Sequence, residues 1–221
     1  MSSLPRTGLC ALTLERDGSA ENSGDLGRDL RAPGSLREGS TGGGPRVRDQ
    51  LPEVDLWHSL SGTSFAGVPA AQIWADFVLW ESLLNERDYD SIIELGTFCG
   101  GFSLYLASQA EHRGMSFRTY DVQAPERKIP GFVQIDIFAS QVEIGEHMQR
   151  HDPVIVLCDG GNKPRELTTF SRYVTPASTL VVHDWGTEMN RENIPDNVEM
   201  VHEDYCVQLG SLSRVFRVRN D

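Results

Sequence analysis

Apolar positions change period several times along this chain, and each change predicts an element. Ile73, Phe77, Trp80 and Leu84 recur at steps of four, three and four, and Trp74 and Val78 widen that face. Such a stripe predicts a helix packed on a sheet. Its start is expected near Pro69, because proline suits a first helical position. The aromatic residues on it can wall a substrate or fill a core, and core packing is the preferred reading. Ile92, Ile93 and Leu95 follow the polar Asp90-Ser91 and read as a buried strand. Phe102 and Leu104 to Ala107 then predict a helix running to Gly114. Further strands are expected over 115–121, 132–138, 153–159 and 178–186, with helices beginning near Ser140 and spanning about 165–173. Strand-like stretches at 198–202 and 213–219 stand close together at the end. Alternating strands and helices followed by two strands predict a mostly parallel sheet finished by an antiparallel pair.

Three glycines, Gly96, Gly100 and Gly101, fall at the junction between the strand ending at Leu95 and the helix that follows. Without a Cβ, such positions let the backbone approach a ligand, and the first N–H groups of a helix are free to meet it. The order Glu94-x-Gly96-x-x-x-Gly100-Gly101 is not the G-x-G-x-x-G of a dinucleotide loop. No Gly-Lys-Ser/Thr follows either, so a Walker-type phosphate loop is excluded. The turn suits a nucleotide-like ligand with a carboxylate or phosphate, and a glycine-rich turn that binds nothing is the plain alternative. Asp121 ends the next strand, where a carboxylate can accept both ribose hydroxyls or simply be solvated. Asp136 is placed to meet an adenine edge, with Ile137 against the ring, or to cap the helix near Ser140.

Composition adds limits. The 221 residues suffice for one full-sized α/β domain with residues left over. Residues 1–50 carry nine glycines and no sustained apolar period, so a disordered or poorly ordered tail is expected before a domain at 51–221. No apolar run approaches the ~18 residues of a membrane span, and no signal-peptide pattern opens the chain, so a cytoplasmic protein is expected. The net charge of −12 sits entirely in residues 51–221, with 13 basic and 25 acidic side chains. That balance argues against nucleic acid and leaves small molecules as partners. Cys10, Cys99, Cys158 and Cys206 form no C-x-x-C pair, and Cys99 and Cys158 are expected to be core thiols.

Gly67-Val68-Pro69, the helix through Trp80, Ile93-Glu94-Leu95-Gly96-Thr97 with Gly100-Gly101, Asp159-Gly160-Gly161 and Val182-His183-Asp184 stand in one order. Together they resemble class I S-adenosylmethionine (SAM)-dependent methyltransferases over roughly residues 60–219. More narrowly, they resemble the cephalosporin hydroxylase-like group, relatives of the metal-dependent small-molecule O-methyltransferases. The resemblance implies an α/β, Rossmann-like fold: a seven-stranded, mostly parallel sheet with an antiparallel last strand and helices on both faces. It implies SAM across the strand tips. Glu94 would fix the glycine loop, Gly96, Thr97, Gly100 and Gly101 would line SAM, Asp121 would hold the ribose and Asp136 would lie near adenine.

The implied reaction is methyl transfer to a hydroxyl of a small molecule, assisted by Mg²⁺ or another divalent metal on Asp159, His183 and Asp184. His183 departs from the pattern, because the relatives carry an acid there. An imidazole favours Mn²⁺, Fe²⁺ or Zn²⁺ over Mg²⁺, or it serves as general base without a metal, or it is a satisfied strand-end histidine. Lys163 follows Asp159 by four residues. A lysine shortly after this aspartate is the base in some catechol-type relatives, so Asp159, His183 and Lys163 are the expected catalytic residues. Two other functions remain: an iron-dependent oxygenase, for which no second histidine is evidently placed, and a non-catalytic SAM-binding protein. A homo-oligomer is compatible with all three.

Overall fold

The computed structural model describes residues 63–220, which lie within the unit Asp55–Asp221. The tail expected over residues 1–50, and its boundary, lie outside the described residues. Ser64–Phe65 (β1) and Val68–Pro69 (β2) form a small antiparallel hairpin that the apolar pattern did not signal. The first helix is therefore later than expected, at Trp74–Glu86 (α1). Pro69 pairs with Ser64, and Ala71 has φ +54°, through which no helix can continue.

The chain then runs through Ser91–Leu95 (β3), Gly101–Arg113 (α2), Ser116–Asp121 (β4), Phe132–Gln134 (β5) and Gln141–Arg150 (α3). It continues with Val154–Cys158 (β6), Lys163–Phe170 (α4), Thr179–Val182 (β7), Val198–Val201 (β8), Glu203–Leu209 (α5) and Arg214–Val218 (β9). The seven-stranded sheet has the order β5-β4-β3-β6-β7-β9-β8. Neighbours from β5 to β7 are parallel, and β9 is antiparallel to both β7 and β8. This is the doubly wound sheet with an antiparallel last strand that the motifs imply.

Two elements differ from the expectation. β5 stops at Gln134 rather than 138, because the Asp136 carboxylate accepts the N–H groups of Phe138 and Ala139 and folds a turn there. The last two strands pair antiparallel as expected, but the connection between them is not short: it contains α5. Only Cys206 of that helix is buried, so it carries no apolar stripe to read.

Side chains alternate across the central strands and feed two cores. Ile92, Leu157, Val181 and Val215 face α1 and α2, whereas Ile93, Val156, Leu180 and Phe216 face α3 and α4. β3, β6 and β7 are buried throughout, as central parallel strands are. Phe77, Phe102 and Tyr105 pack ring against ring at 4.8–5.4 Å. The α1 stripe is thus core, and each such buried aromatic contributes roughly 2–3 kcal/mol. Among the described residues no helix is long and apolar enough to cross a membrane. Cys158 and Cys206 are free and buried. Cys99 is disulfide-bonded, contrary to the expected core thiol: it sits in the turn after β3 and not within a strand.

From β3 the sheet grows through β4 to β5, and the chain then returns to the other side of β3 with β6 and β7. That reversal puts the topological switch point at the C-terminal ends of β3 and β6, the crevice position where open α/β sheets take ligands.

Candidate active site

On the β3 side of the crevice the chain builds a turn from backbone. Gly96 has φ +101°, and a Cβ there would lie 2.6 Å from the carbonyl carbon of Asp159 and closer still to its oxygen. A Cβ on Gly101 would lie 2.6 Å from the Pro69 carbonyl carbon, and one on Gly100 would lie 2.6 Å from Ile129 Cδ1. At these three positions the missing Cβ makes room for this chain's own backbone and side chains. Asp159 N–H donates to the Leu95 carbonyl at 2.8 Å, so the tips of β3 and β6 are locked together.

Asp121 holds the turn. Its Oδ2 accepts Thr97 N–H at 2.9 Å and Phe98 N–H at 3.0 Å, and its Oδ1 accepts Gln123 N–H at 2.9 Å. Asp121 thus fixes the loop through hydrogen bonds. Glu94 lies buried below the turn, and its Oε2 has no hydrogen-bond partner, nor does Ser103 Oγ. Burial pushes the Glu94 carboxyl up to about 8, against a smaller opposing effect of the Ser103 and Thr119 hydroxyls. The 13-residue α2 begins at left-handed Gly100 with no side-chain cap and no acid in its first turn. Its positive end is left for an anion. Asp136 Oδ1 accepts Phe138 and Ala139 N–H at 2.8 and 3.1 Å and so holds the turn before α3; α3 itself starts after Ser140 with no side-chain cap, so Asp136 does not cap that helix.

On the β6 and β7 side the site is built from side chains. Asp159 follows β6, and Lys163 stands four residues on in the first turn of α4, not in a loop. Asn162 caps that helix by accepting Arg165 N–H, and Pro164 stiffens its first turn. The Lys163 ammonium lies 3.3 Å from Asp159 Oδ1, 2.8 Å from Asp184 Oδ2 and 2.8 Å from Glu188 Oε2. His183 Nδ1 lies 3.4 Å from Asp159 Oδ1 and 3.3 Å from Asp184 Oδ1, and its Nε2 faces Asp76 Oδ2 at 3.6 Å. Asp159 Oδ2 accepts Gln72 Nε2–H at 2.7 Å. Asp184 has φ +58°, and its carbonyl accepts the N–H groups of Thr187, Glu188 and Met189, a turn that brings Glu188 back to Lys163.

The charges hold one another. Burial alone would lower the pKa of His183, but Asp159, Asp184 and Asp76 outweigh it and lift the imidazole to about 12. Burial likewise opposes the charge on Lys163, and Asp159, Asp184 and Glu188 win, raising the ammonium above its ordinary value. The His183 contact, against the effect of burial and together with Lys163, holds the Asp184 carboxyl well below the usual range. Both shifts favour the charged forms of His183 and Lys163.

The ligand atoms of Asp159, His183 and Asp184 all lie within 4.8 Å of one another. Two carboxylates and an imidazole suit a divalent ion, and the four carboxyl groups of Asp76, Asp159, Asp184 and Glu188 outnumber the two cationic side chains. The donor set fits a metal by chemistry and by charge. Sequence reasoning missed Gln72, Asp76, Glu188 and Glu166. Asp76 left one signal, an acid inside an apolar helical run. Glu166 is buried and accepts Gly160 and Asn162 N–H, both at 3.0 Å, which fixes the loop after Asp159; burial pushes its carboxyl up to about 7.

No family model and no curated protein matches this chain. Solved structures do. CmcI with Mg and SAM is 15% identical with a TM-score of 0.58, over 78% of this chain and 83% of that one. An apo-structure of CmcI is 14% identical with a TM-score of 0.61, over 86% and 91%. CmcI with SAH is 16% identical with a TM-score of 0.56, over 84% and 97%. At these identities the likeness is one of fold.

Proposed function

We propose that this chain is a methyltransferase that moves a methyl group from SAM to a hydroxyl of a small molecule. One observation carries the reading. An uncapped start of α2 follows the C-terminal tip of β3, and the Asp159–Lys163–His183–Asp184 cluster stands at the tips of the adjacent strands β6 and β7. Likeness in fold to CmcI structures that hold Mg and SAM, or SAH, supports it.

The start of α2 suits the carboxylate of the methionine moiety, and unpartnered Glu94 Oε2 offers an acceptor to its ammonium. Gly96, Thr97, Gly100 and Gly101 would line this part. Asp121 keeps acceptor capacity for ribose hydroxyls beside the loop amides that it already holds, and Asp136 would lie towards adenine.

Bound SAM supplies an electrophilic methyl group, and a divalent ion on Asp159, His183 and Asp184 would supply Lewis acidity to the acceptor hydroxyl. The chain supplies position and charge. Gln72 and Lys163 hold Asp159, so a hydroxyl bonded to that carboxylate is aimed and not free to turn. Lys163 keeps its proton and presents positive charge to a developing oxyanion, which favours electrostatic stabilisation over a general-base role for it; His183 would do the same only without an ion, because an imidazole that holds a metal is unprotonated. An iron oxygenase of the two-histidine type is less well supported. Among the described residues the metal-competent group holds a single histidine. The acidic balance of residues 51–221 supports a small-molecule acceptor.

Calorimetry of the full chain with SAM and SAH tests the reading. Saturable binding at micromolar concentration is expected for both, and no heat at high micromolar ligand sinks it.

A further inference from the structure

We infer that Lys163 and a divalent cation are alternative occupants of one acidic cleft, so that Lys163 sets how tightly this chain holds a metal. The ammonium contacts two of the three residues able to hold an ion, at 3.3 Å from Asp159 Oδ1 and 2.8 Å from Asp184 Oδ2. Those residues offer ligand atoms within 4.8 Å of one another, so an ion held by Asp159 and Asp184 would compete with the ammonium for the same two carboxylates. Lys163 is 2% exposed, and its backbone is fixed by the Asn162 cap and Pro164. The cation is built into the fold and is not a surface lysine resting on an acidic patch. Glu188, which follows the turn at Asp184, gives the ammonium a third carboxylate at 2.8 Å.

A divalent ion beside a retained ammonium would meet repulsion at a few ångströms in a partly desolvated site, where such terms are strong. Metal entry therefore requires the Lys163 side chain to leave Asp159 and Asp184, with Glu188 as its remaining partner. The free protein holds its own counter-charge until a metal displaces it. This deepens the metal part of the proposed function and rests on Asp159, His183 and Asp184 as its ligands. It needs neither SAM nor an acceptor to be measured.

The test is Mn²⁺ titration of the full chain without SAM, followed by calorimetry and by the spin signal of free Mn²⁺. Lys163→Met and Lys163→Gln should bind Mn²⁺ roughly tenfold or more tightly than the native chain. Lys163→Arg, which keeps the charge, should gain nothing. Adding Asp159→Asn to Lys163→Met should abolish the gain. Equal or weaker Mn²⁺ binding in the Met and Gln variants overturns the inference, as does an equal gain in the Arg variant. If the uncharged variants do not fold alone, Mn²⁺ present during refolding should recover them by replacing the lost charge, and failure to recover them overturns it too. Absence of Mn²⁺ binding in every folded variant removes the metal part and leaves SAM binding to be judged by its own calorimetry.

Discussion

The two walls of the strand-tip crevice are made of different material. The β3–α2 wall is backbone: Gly96, Gly100 and Gly101 are pressed against the Asp159 carbonyl, Ile129 and the Pro69 carbonyl. The β6–β7 wall is side chain: Gln72, Asp76, Asp159, Lys163, His183, Asp184 and Glu188 converge from separate segments. The first wall is limited by space and the second by charge. Steric additions should be ruinous on one and isosteric loss of charge damaging on the other.

The largest effect expected is that of Gly96→Ala. Its φ of +101° disfavours any side chain, and the new Cβ would force the locked tips of β3 and β6 apart. A loss of about 4 kcal/mol or more is expected in denaturant unfolding. Gly114→Ala is the control. Gly114 is also left-handed, at φ +69°, but nothing lies within 4 Å of its Cβ position. It should lose only about 1 kcal/mol. Equal losses at the two glycines would break the spatial half of the comparison.

Glu94 sharpens it next, as a titratable group buried beneath the backbone wall. Its folded pKa of about 8 stands above the ordinary 4.5. Its contribution to stability is therefore fully present below pH 4.5 and is lost as pH rises through about 8. Relative to Glu94→Gln, the native chain should weaken by on the order of 5 kcal/mol across that window. Parallel stability curves for the two proteins between pH 4.5 and 8 would show that Glu94 does not titrate in this way.

On the charged wall, Asp76→Asn keeps shape and an acceptor for the Ser211 hydroxyl, now 2.6 Å away, but removes the charge facing His183. A loss of about 2 kcal/mol is expected, because a buried cation is left with fewer partners. Asp76→Ala should cost about 1 kcal/mol more, because the buried Ser211 hydroxyl then also loses its acceptor. A harmless Asn together with a damaging Ala would show that the acceptor, not the charge, is what the site uses.

The same contrast explains what was legible in the sequence. The strand–glycine–helix junction and the alternating core strands are local patterns, so β3, α2, β6 and β7 could be read from neighbouring residues. Asp159, His183 and Asp184 could be read as strand tips. Gln72 reaches Asp159 across 87 residues, and no local pattern carries such a pairing. Glu188 depends on a left-handed Asp184, a conformation that the residue type permits but does not announce. α5 lacks an apolar stripe, and β1 and β2 span two residues each, too short for a period to register.

Asp121 is the smallest test and the most direct, because it is a side chain serving the backbone wall. Its Oδ2 is shared by two loop amides, so it can anchor the turn and still offer lone pairs to a ribose. Asp121→Asn keeps one carbonyl oxygen for those amides and loses the charge that strengthens both bonds. A stability loss of about 1 kcal/mol is expected, or a fall of roughly 2–4 °C in Tm for a domain of this size. Calorimetry with SAM should show a larger change, about tenfold in affinity, because the amide presents an N–H where a ribose hydroxyl needs an acceptor. If affinity falls no more than stability does, Asp121 serves the turn alone, and the ribose is held by another group on the side-chain wall.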